Sequence, residues 1–444
     1  MNYLRSRTGP VALIPFLVFI TCFLGTGYLL DDFYALPAPI AVVVGIVSAV
    51  LILRGSPTSK IDTLLRGCGD PKILTMCLIY LLAGGFATVT GAMGGIDSVV
   101  NLGLTYISVE FLPAGIFIIA AFLSLSAGTS VGSIVALGPI AIGLADQSGI
   151  SLALMGGSLL GGAMFGDNLS IISDTTIAAT QSLGVSMKDK FRVNLYIALP
   201  AAILTVILLY FLGREAGMGT GALPTPGSFS LVEIFPYLLV LVLAVSGLNV
   251  FYVLFIGIVV AGFIGLYKQD FSLLGYTQEI YDGFLGMTDI FLLSLLTGGL
   301  AAMVQKAGGI DYILKKIQKR VKTKRSAQVG IGALVGFTNA AIANNTVSII
   351  ITGPVAKQIN DLFRMNPRKT ATILDIFACL VQGSLPYGAQ MLLLVSFAGG
   401  RVAYLDLLGQ AWYLPILFMV TLVAIFYKPW DRLVPNTQPS SELL

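Results

Sequence analysis

Residues 81–97 read LLAGGFATVTGAMGGID, and residues 295–311 read LLTGGLAAMVQKAGGID. Nine of the 17 aligned positions are identical, without a gap, at a constant offset of 214. The electrostatic surroundings of the two copies are opposite. The first ends on Asp97 and continues to Glu110, with no Lys or Arg between 91 and 110. The second carries Lys306 and runs into Lys315, Lys316, Lys319, Arg320, Lys322, Lys324 and Arg325. Basic loops of membrane proteins stay on the cytoplasmic side. The two copies are therefore expected to lie upside down relative to each other, the inverted-repeat arrangement of secondary transporters.

The composition supports a membrane setting. Of 444 residues, 56% are hydrophobic and 11% charged, and apolar runs of about 18 or more residues, the length that spans a bilayer, recur along the chain. No stretch reads as a separate soluble domain. Arg5 and Arg7 precede an apolar run at 10–30 without a small-residue cleavage site, which reads as an uncleaved first span. The basic cluster at 315–325 suits contact with anionic membrane lipids rather than nucleic acid. Cys22, Cys68, Cys77 and Cys379 have no metal-ligand spacing. The absence of histidine excludes a Ser-His-Asp triad and a His-bearing zinc site, so proton handling falls to carboxylates. No enzymatic constellation and no cofactor are expected.

The fold expected is an all-α polytopic membrane protein. Crossing segments fall at roughly 10–30, 36–53, 73–90, 150–187, 193–213, 231–247, 250–267, 284–304, 371–399 and 411–427, with hairpins at roughly 111–145 and 327–357. With the N-terminus in the cytoplasm this layout places 23 Lys and Arg inside and only Arg214, Lys268 and Arg401 outside. Both termini are thus expected to be cytoplasmic in a multi-pass protein of the cell (inner) membrane. Residues 1–213 read as the first inverted repeat, the Gly/Pro-rich 214–230 as a linker, and 231–444 as the second repeat with a C-terminal tail.

Each repeat has a re-entrant hairpin and a broken transmembrane helix. GTSVGSIVALGPIA (128–141) aligns with ANNTVSIIITGPVA (343–356). Thr129 and Ser130, and Asn344, Asn345 and Thr346, fall at the hairpin tips. Irregular backbone is tolerated at membrane depth only where it is buried or lines a cavity, and there it can hold ions. The first broken span contains GDNLSIISDTTIAAT (166–180), with Asp167, Asn168, Ser170, Ser173, Asp174, Thr175 and Thr176 as candidate ion or substrate ligands. On a continuous helix Asp167 and Asp174 would share one face, as a pair of candidate ion ligands. Carboxylates in the bilayer core are costly and mark ion or proton sites; Asp174 also suits a helix N-terminus. The second broken span, ILDIFACLVQGSLPYGAQMLL (373–393), offers Gln382, Ser384, Tyr387 and Gln390. Its Asp375 is a candidate proton relay, or alternatively a cytoplasmic-edge residue. Pro386 interrupts this helix.

The strings GTS-x-G-(S/T) at 128–133 and GDNLSIISDTT at 166–176 resemble those of the NhaC-type Na+/H+ antiporters of the ion transporter superfamily. The resemblance implies inverted repeats, cation binding at the matching residues of 166–176 together with Thr129 and Ser130, Na+ and H+ as coupling ions, and a homodimer. The NNT at 344–346 is similar to the sodium-site signature of related carboxylate transporters. One departure stands out: QGSLPYGAQ (382–390) is neutral where better-known antiporters carry an acidic string. The leading expectation is Na+/H+ exchange by alternating access. The alternative is sodium- or proton-coupled transport of an amino acid or small organic acid. An intramembrane aspartyl protease using Asp167 and Asp282, and a passive channel, are the remaining readings.

Overall fold

Apolar runs without interior breakers form helices, because in lipid the backbone has to satisfy its own hydrogen bonds. A computed structural model of the protein describes residues 9–30, 36–171, 173–219, 227–318 and 321–427. The expectations for Arg5, Arg7, Lys319, Arg320, Lys428, Arg432 and both termini fall outside these residues. The described residues are helical, with no strand among them. In chain order the first ten helices are α1 (Ile14–Leu30), α2 (Ala38–Ile52), α3 (Pro57–Cys68), α4 (Pro71–Ala92), α5 (Gly95–Tyr106), α6 (Leu112–Ala127), α7 (Ser130–Ser148), α8 (Leu152–Leu169), α9 (Asp174–Leu183) and α10 (Met187–Gly219). Then follow α11 (Leu231–Val245), α12 (Val250–Lys268), α13 (Leu273–Gly286), α14 (Thr288–Lys306), α15 (Gly309–Gln318), α16 (Lys324–Ile342), α17 (Asn345–Leu362), α18 (Pro367–Ser384), α19 (Ala389–Phe397), α20 (Tyr404–Gly409) and α21 (Tyr413–Phe426).

Every expected crossing segment contains a helix, and eight helical stretches among the described residues are long and apolar enough to cross a membrane. Large apolar side chains on α2, α10, α11, α12 and α21 remain exposed, among them Leu51, Ile203, Phe211, Val242, Phe263 and Met419. Such a surface is what lipid, rather than water, would cover. Helices α3, α5, α13, α15 and α20 lie wholly or mostly outside the expected segments. The amphipathic α3 and α13 are short, and they pack against α14 and α4 respectively. At the second contact a Cβ on Gly84 would lie 2.0 Å from the Gly283 carbonyl oxygen, so the backbones touch. Helix α10 continues to Gly219, six residues into the stretch expected to be linker.

The packing partners recur in exchanged form. Helix α2 packs on α14 and α12 on α4, and α7 packs on α19 and α17 on α9; within each half, α6 packs on α8 and α16 on α18. Helices α4 and α14, which carry the repeated peptide, also touch each other. There the Cys77 thiol lies 3.6 Å from the Phe291 carbonyl oxygen, and these two residues are 214 apart, the offset of the sequence repeat.

The hairpin tips use one device twice. Gly128 closes α6 at φ 70°, and Thr129 caps α7 by accepting from the Gly132 amide at 3.4 Å. Ala343 closes α16 at φ 57°, and Asn344 caps α17 by accepting from the Val347 amide at 3.0 Å. Capping oxygens of this kind satisfy the unpaired first amides of a helix.

Candidate functional site

The two breaks have different causes. In α18–α19, Pro386 cannot donate and forces its predecessor out of helical conformation; Leu385 is extended at ψ 128°. Nothing comparable stands between α8 and α9. There the interruption is held by side chains. The Asn168 carbonyl, near the end of α8, accepts from the Lys190 ammonium and the Asn194 amide, both at 2.6 Å. The Ser170 hydroxyl donates to the Leu125 carbonyl at 2.8 Å. These contacts replace the partners that a continuing helix would supply. The break also separates Asp167 from Asp174, so the expected shared helical face does not exist.

A cavity of about 330 Å³ lies where the breaks and the hairpin tips converge. Its wall includes Thr129 and Ser130, Asp167, Ser173, Asp174 and Thr175, Asn344, Asn345 and Thr346, and Gln382 and Gln390. Met76, Ile79 and Val250 supply an apolar side. Asp167 is 5% exposed. Its Oδ2 accepts from the Ser130 hydroxyl at 2.8 Å and its Oδ1 from the Ser173 hydroxyl at 2.6 Å. The Ser173 and Thr175 hydroxyls are 2.9 Å apart. Ser173 precedes α9 but makes no side-chain cap, because its hydroxyl serves the carboxylate. Behind Ser130 stands a relay of amides: Gln390 Nε2 donates to Ser130 Oγ at 3.0 Å, and Gln382 Nε2 donates to Gln390 Oε1 at 3.1 Å. Gln382 Oε1 is buried without a hydrogen-bond partner among the described residues. Asp174 is exposed on the cavity wall, in the first turn of α9, where a carboxylate suits the helix dipole.

Six residues expected at the site do not line this cavity. Asn168 and Thr176 belong to a polar cluster behind it. Lys190 donates to Asp375, to the Asn168 carbonyl and, at 2.8 Å, to Thr176 Oγ1. Asn168 Nδ2 also reaches Asp375 Oδ2 at 3.2 Å. Asp375 is fully buried, two turns into α18 from its start at Pro367. Ser170 serves the break, and the Ser384 hydroxyl returns to the Leu380 carbonyl of its own helix at 2.7 Å. Tyr387 donates to the Ala340 carbonyl at 2.7 Å and packs its ring against Phe16 and Phe19. Its bulk fills a hydrophobic cluster. Asp282 lines a different cavity with Asp146, which separates the two carboxylates a protease would need.

Lys190 and Asn194 were not legible as site residues. Lys190 lies between Lys188 and Arg192, and the run reads as a cytoplasmic loop; instead it is buried on the first turn of α10. Lys369 is likewise buried and donates to the Ala424 carbonyl at 2.6 Å. The available signal was spacing: Lys190 and Asn194 are four apart, on one helical face, where an apolar run begins.

Interrupted helices and irregular turns converging on a buried carboxylate are the build of a multi-pass membrane transporter. The model of the Na+/H+ antiporter family matches residues 9–214 and 219–427, and the chain belongs to that family. It is similar to the Na(+)/H(+) antiporter NhaC of Bacillus subtilis, at 23% identity over 96% of this chain and 100% of the relative. A malate-2H(+)/Na(+)-lactate antiporter of the same organism is 24% identical, over 80% of this chain and 81% of the relative. The arginine/ornithine antiporter ArcD of Halobacterium salinarum is 24% identical, over 97% of this chain and 94% of the relative.

Proposed function

We propose that the protein exchanges Na+ for H+ across the cell membrane, with both ions competing for Asp167. The observation that carries this reading is the environment of that carboxylate. It is buried, it lines the cavity, and its hydrogen bonds come from neutral hydroxyls with no ion pair among the described residues. A buried carboxylate without a counter-charge favours either a proton or a bound cation. Na+ would find oxygens on Asp167, Ser130, Ser173, Thr175 and Thr129, with Asn344, Asn345 and Thr346 facing them from the other hairpin. Alternating access would then move one set of elements against the other.

The exchanged packing partners and the Cys77–Phe291 contact support two inverted repeats, 1–213 and 231–444, joined through 214–230. The charge distribution along the chain supports cytoplasmic termini. The cavity reaches Pro71 and Thr75 at the start of α4, on the side this topology assigns to the cytoplasm, so the conformation reads as inward-open.

A second reading has a specific observation behind it. The acceptor Gln382 Oε1, the apolar wall and a volume far above that of a bare ion suit an organic solute, and two relatives are named for organic cargo. Purified protein in liposomes with imposed sodium and proton gradients, with and without amino acids and small carboxylates, separates the readings. Sodium-driven proton flux that disappears in Asp167→Asn supports the first. Full flux in that variant removes it. Flux only when a solute is present favours the second.

A further inference from the structure

The number of charges exchanged per cycle follows from which buried carboxylates are open to an incoming ion. Four charged side chains are buried among the described residues: Asp167, Lys190, Lys369 and Asp375. Lys369 sits in the first turn of α18 and bonds the Ala424 carbonyl near the C-terminal end of α21, about 9 Å along the helix from Asp375 at 1.5 Å per residue. The other three surround the break between α8 and α9.

Asp375 is not available to a transported ion. Its Oδ2 accepts from Lys190 and Asn168, and its Oδ1 faces the Cys379 thiol at 3.8 Å. An ammonium has three protons, and each of those on Lys190 has its own acceptor: Asp375, the Asn168 carbonyl and Thr176. Moving Lys190 away would leave the buried Thr176 hydroxyl and the Asp375 carboxylate without the ammonium, while the Asn168 carbonyl keeps Asn194. Neither Lys190 nor Asp375 lines the cavity, whereas Asp167 does. Asp174, the other carboxylate on the cavity wall, is exposed at a helix N-terminus, outside the buried cluster.

We infer that Lys190 is a resident counter-ion that keeps Asp375 out of the ion cycle, leaving one exchangeable negative charge and hence one-for-one, voltage-independent exchange of monovalent cations. This rests on the exchange reading given above. Asp167 carrying Na+ and Asp167 carrying a proton have the same net charge, so neither loaded form is driven by the membrane potential. Lys190 acts here through Asp375 and the Asn168 carbonyl, as a positioning residue.

The test is a flux measurement in liposomes with the potential clamped by potassium and valinomycin. The wild-type protein is expected to reach the same equilibrium sodium ratio at fixed pH gradient whatever the voltage. A two-for-one exchanger moves one net charge per cycle, so about 59 mV would move that ratio tenfold; such a shift overturns the inference. Lys190→Met frees Asp375 and is expected to introduce this voltage dependence. The double variant Lys190→Met, Asp375→Asn removes both charges and is expected to restore voltage independence, as is Lys190→Arg. A folded Lys190→Met protein that still exchanges without voltage dependence overturns the inference. If Lys190→Met does not fold, the wild-type and double-variant measurements decide. Absence of any sodium-proton exchange by the wild type at zero potential removes the exchange reading and the charge ratio with it.

Discussion

At the residue scale, the site depends on how neutral donors treat Asp167. Ser130 and Ser173 each donate one hydrogen bond to the carboxylate, and bonds to charged groups are worth about 1.5–3 kcal/mol. Removing a donor disfavours the charged form, which is the one proposed to bind Na+. Ser173→Ala is therefore expected to weaken apparent sodium affinity about tenfold, read as the sodium concentration giving half-maximal proton flux. Unchanged affinity would show that the hydroxyl does not serve the carboxylate. Tyr387 makes the opposite case. Its side chain was legible as a pocket residue because it adjoins the Pro386 break, yet it bonds Ala340 and packs on Phe16 and Phe19. Tyr387→Phe is expected to lower stability by about 1 kcal/mol, measured by thermal unfolding in detergent, without altering sodium affinity. Sequence places an aromatic beside a break but does not say which way it turns.

At the element scale, the hairpin tips and the close helix pair α6–α8 set the geometry. Ala343 holds a left-handed backbone conformation that costs an L-residue roughly 1–2 kcal/mol and glycine little. Part of that gain is offset because glycine orders less readily. Ala343→Gly is expected to stabilise the protein by up to about 1 kcal/mol, and Gly128→Ala to destabilise it by about as much; unfolding temperatures of the two variants test the opposed signs. A Cβ on Gly162 would stand 2.1 Å from the Phe117 carbonyl oxygen. Gly162→Ala therefore has to push α6 from α8, at about 1–3 kcal/mol, and the shift would reach Asp167 at the end of α8. A drop in unfolding temperature with reduced sodium affinity is the expected outcome; an unperturbed variant would mean that the helices can separate freely. The chain reversals at Gly128–Thr129 and Ala343–Asn344 were legible because their glycine, proline and small polar residues repeat in register, although both helices at the first, Val109–Ala127 and Ser130–Ser148, are long and apolar enough to cross a membrane. The α8–α9 break was legible only as a polar interval, since its cause lies in Lys190, Asn194 and Leu125, distant along the chain or on other helices.

At the scale of the whole molecule, the proposed inversion makes a labelling prediction. With Cys22, Cys68, Cys77 and Cys379 replaced, a cysteine at Thr323 is expected to react with an impermeant reagent only from the cytoplasmic side, and one at Asp270 only from outside. Labelling of both from the same side would refute the topology. What the sequence determined by itself was the membrane setting and the run of helices, because hydrophobic run length and turn residues act locally and leave their mark in order along the chain. It also marked Asp167, a carboxylate whose cost in an apolar span has few explanations other than function. Only the tertiary structure decided that Asp174 stands apart from Asp167, that Asp375 is paired and that Lys190 is the buried partner. Those outcomes depend on which side chains meet across helices far apart in the chain, and a charge near a loop looks the same in sequence whether it turns to water or into the protein.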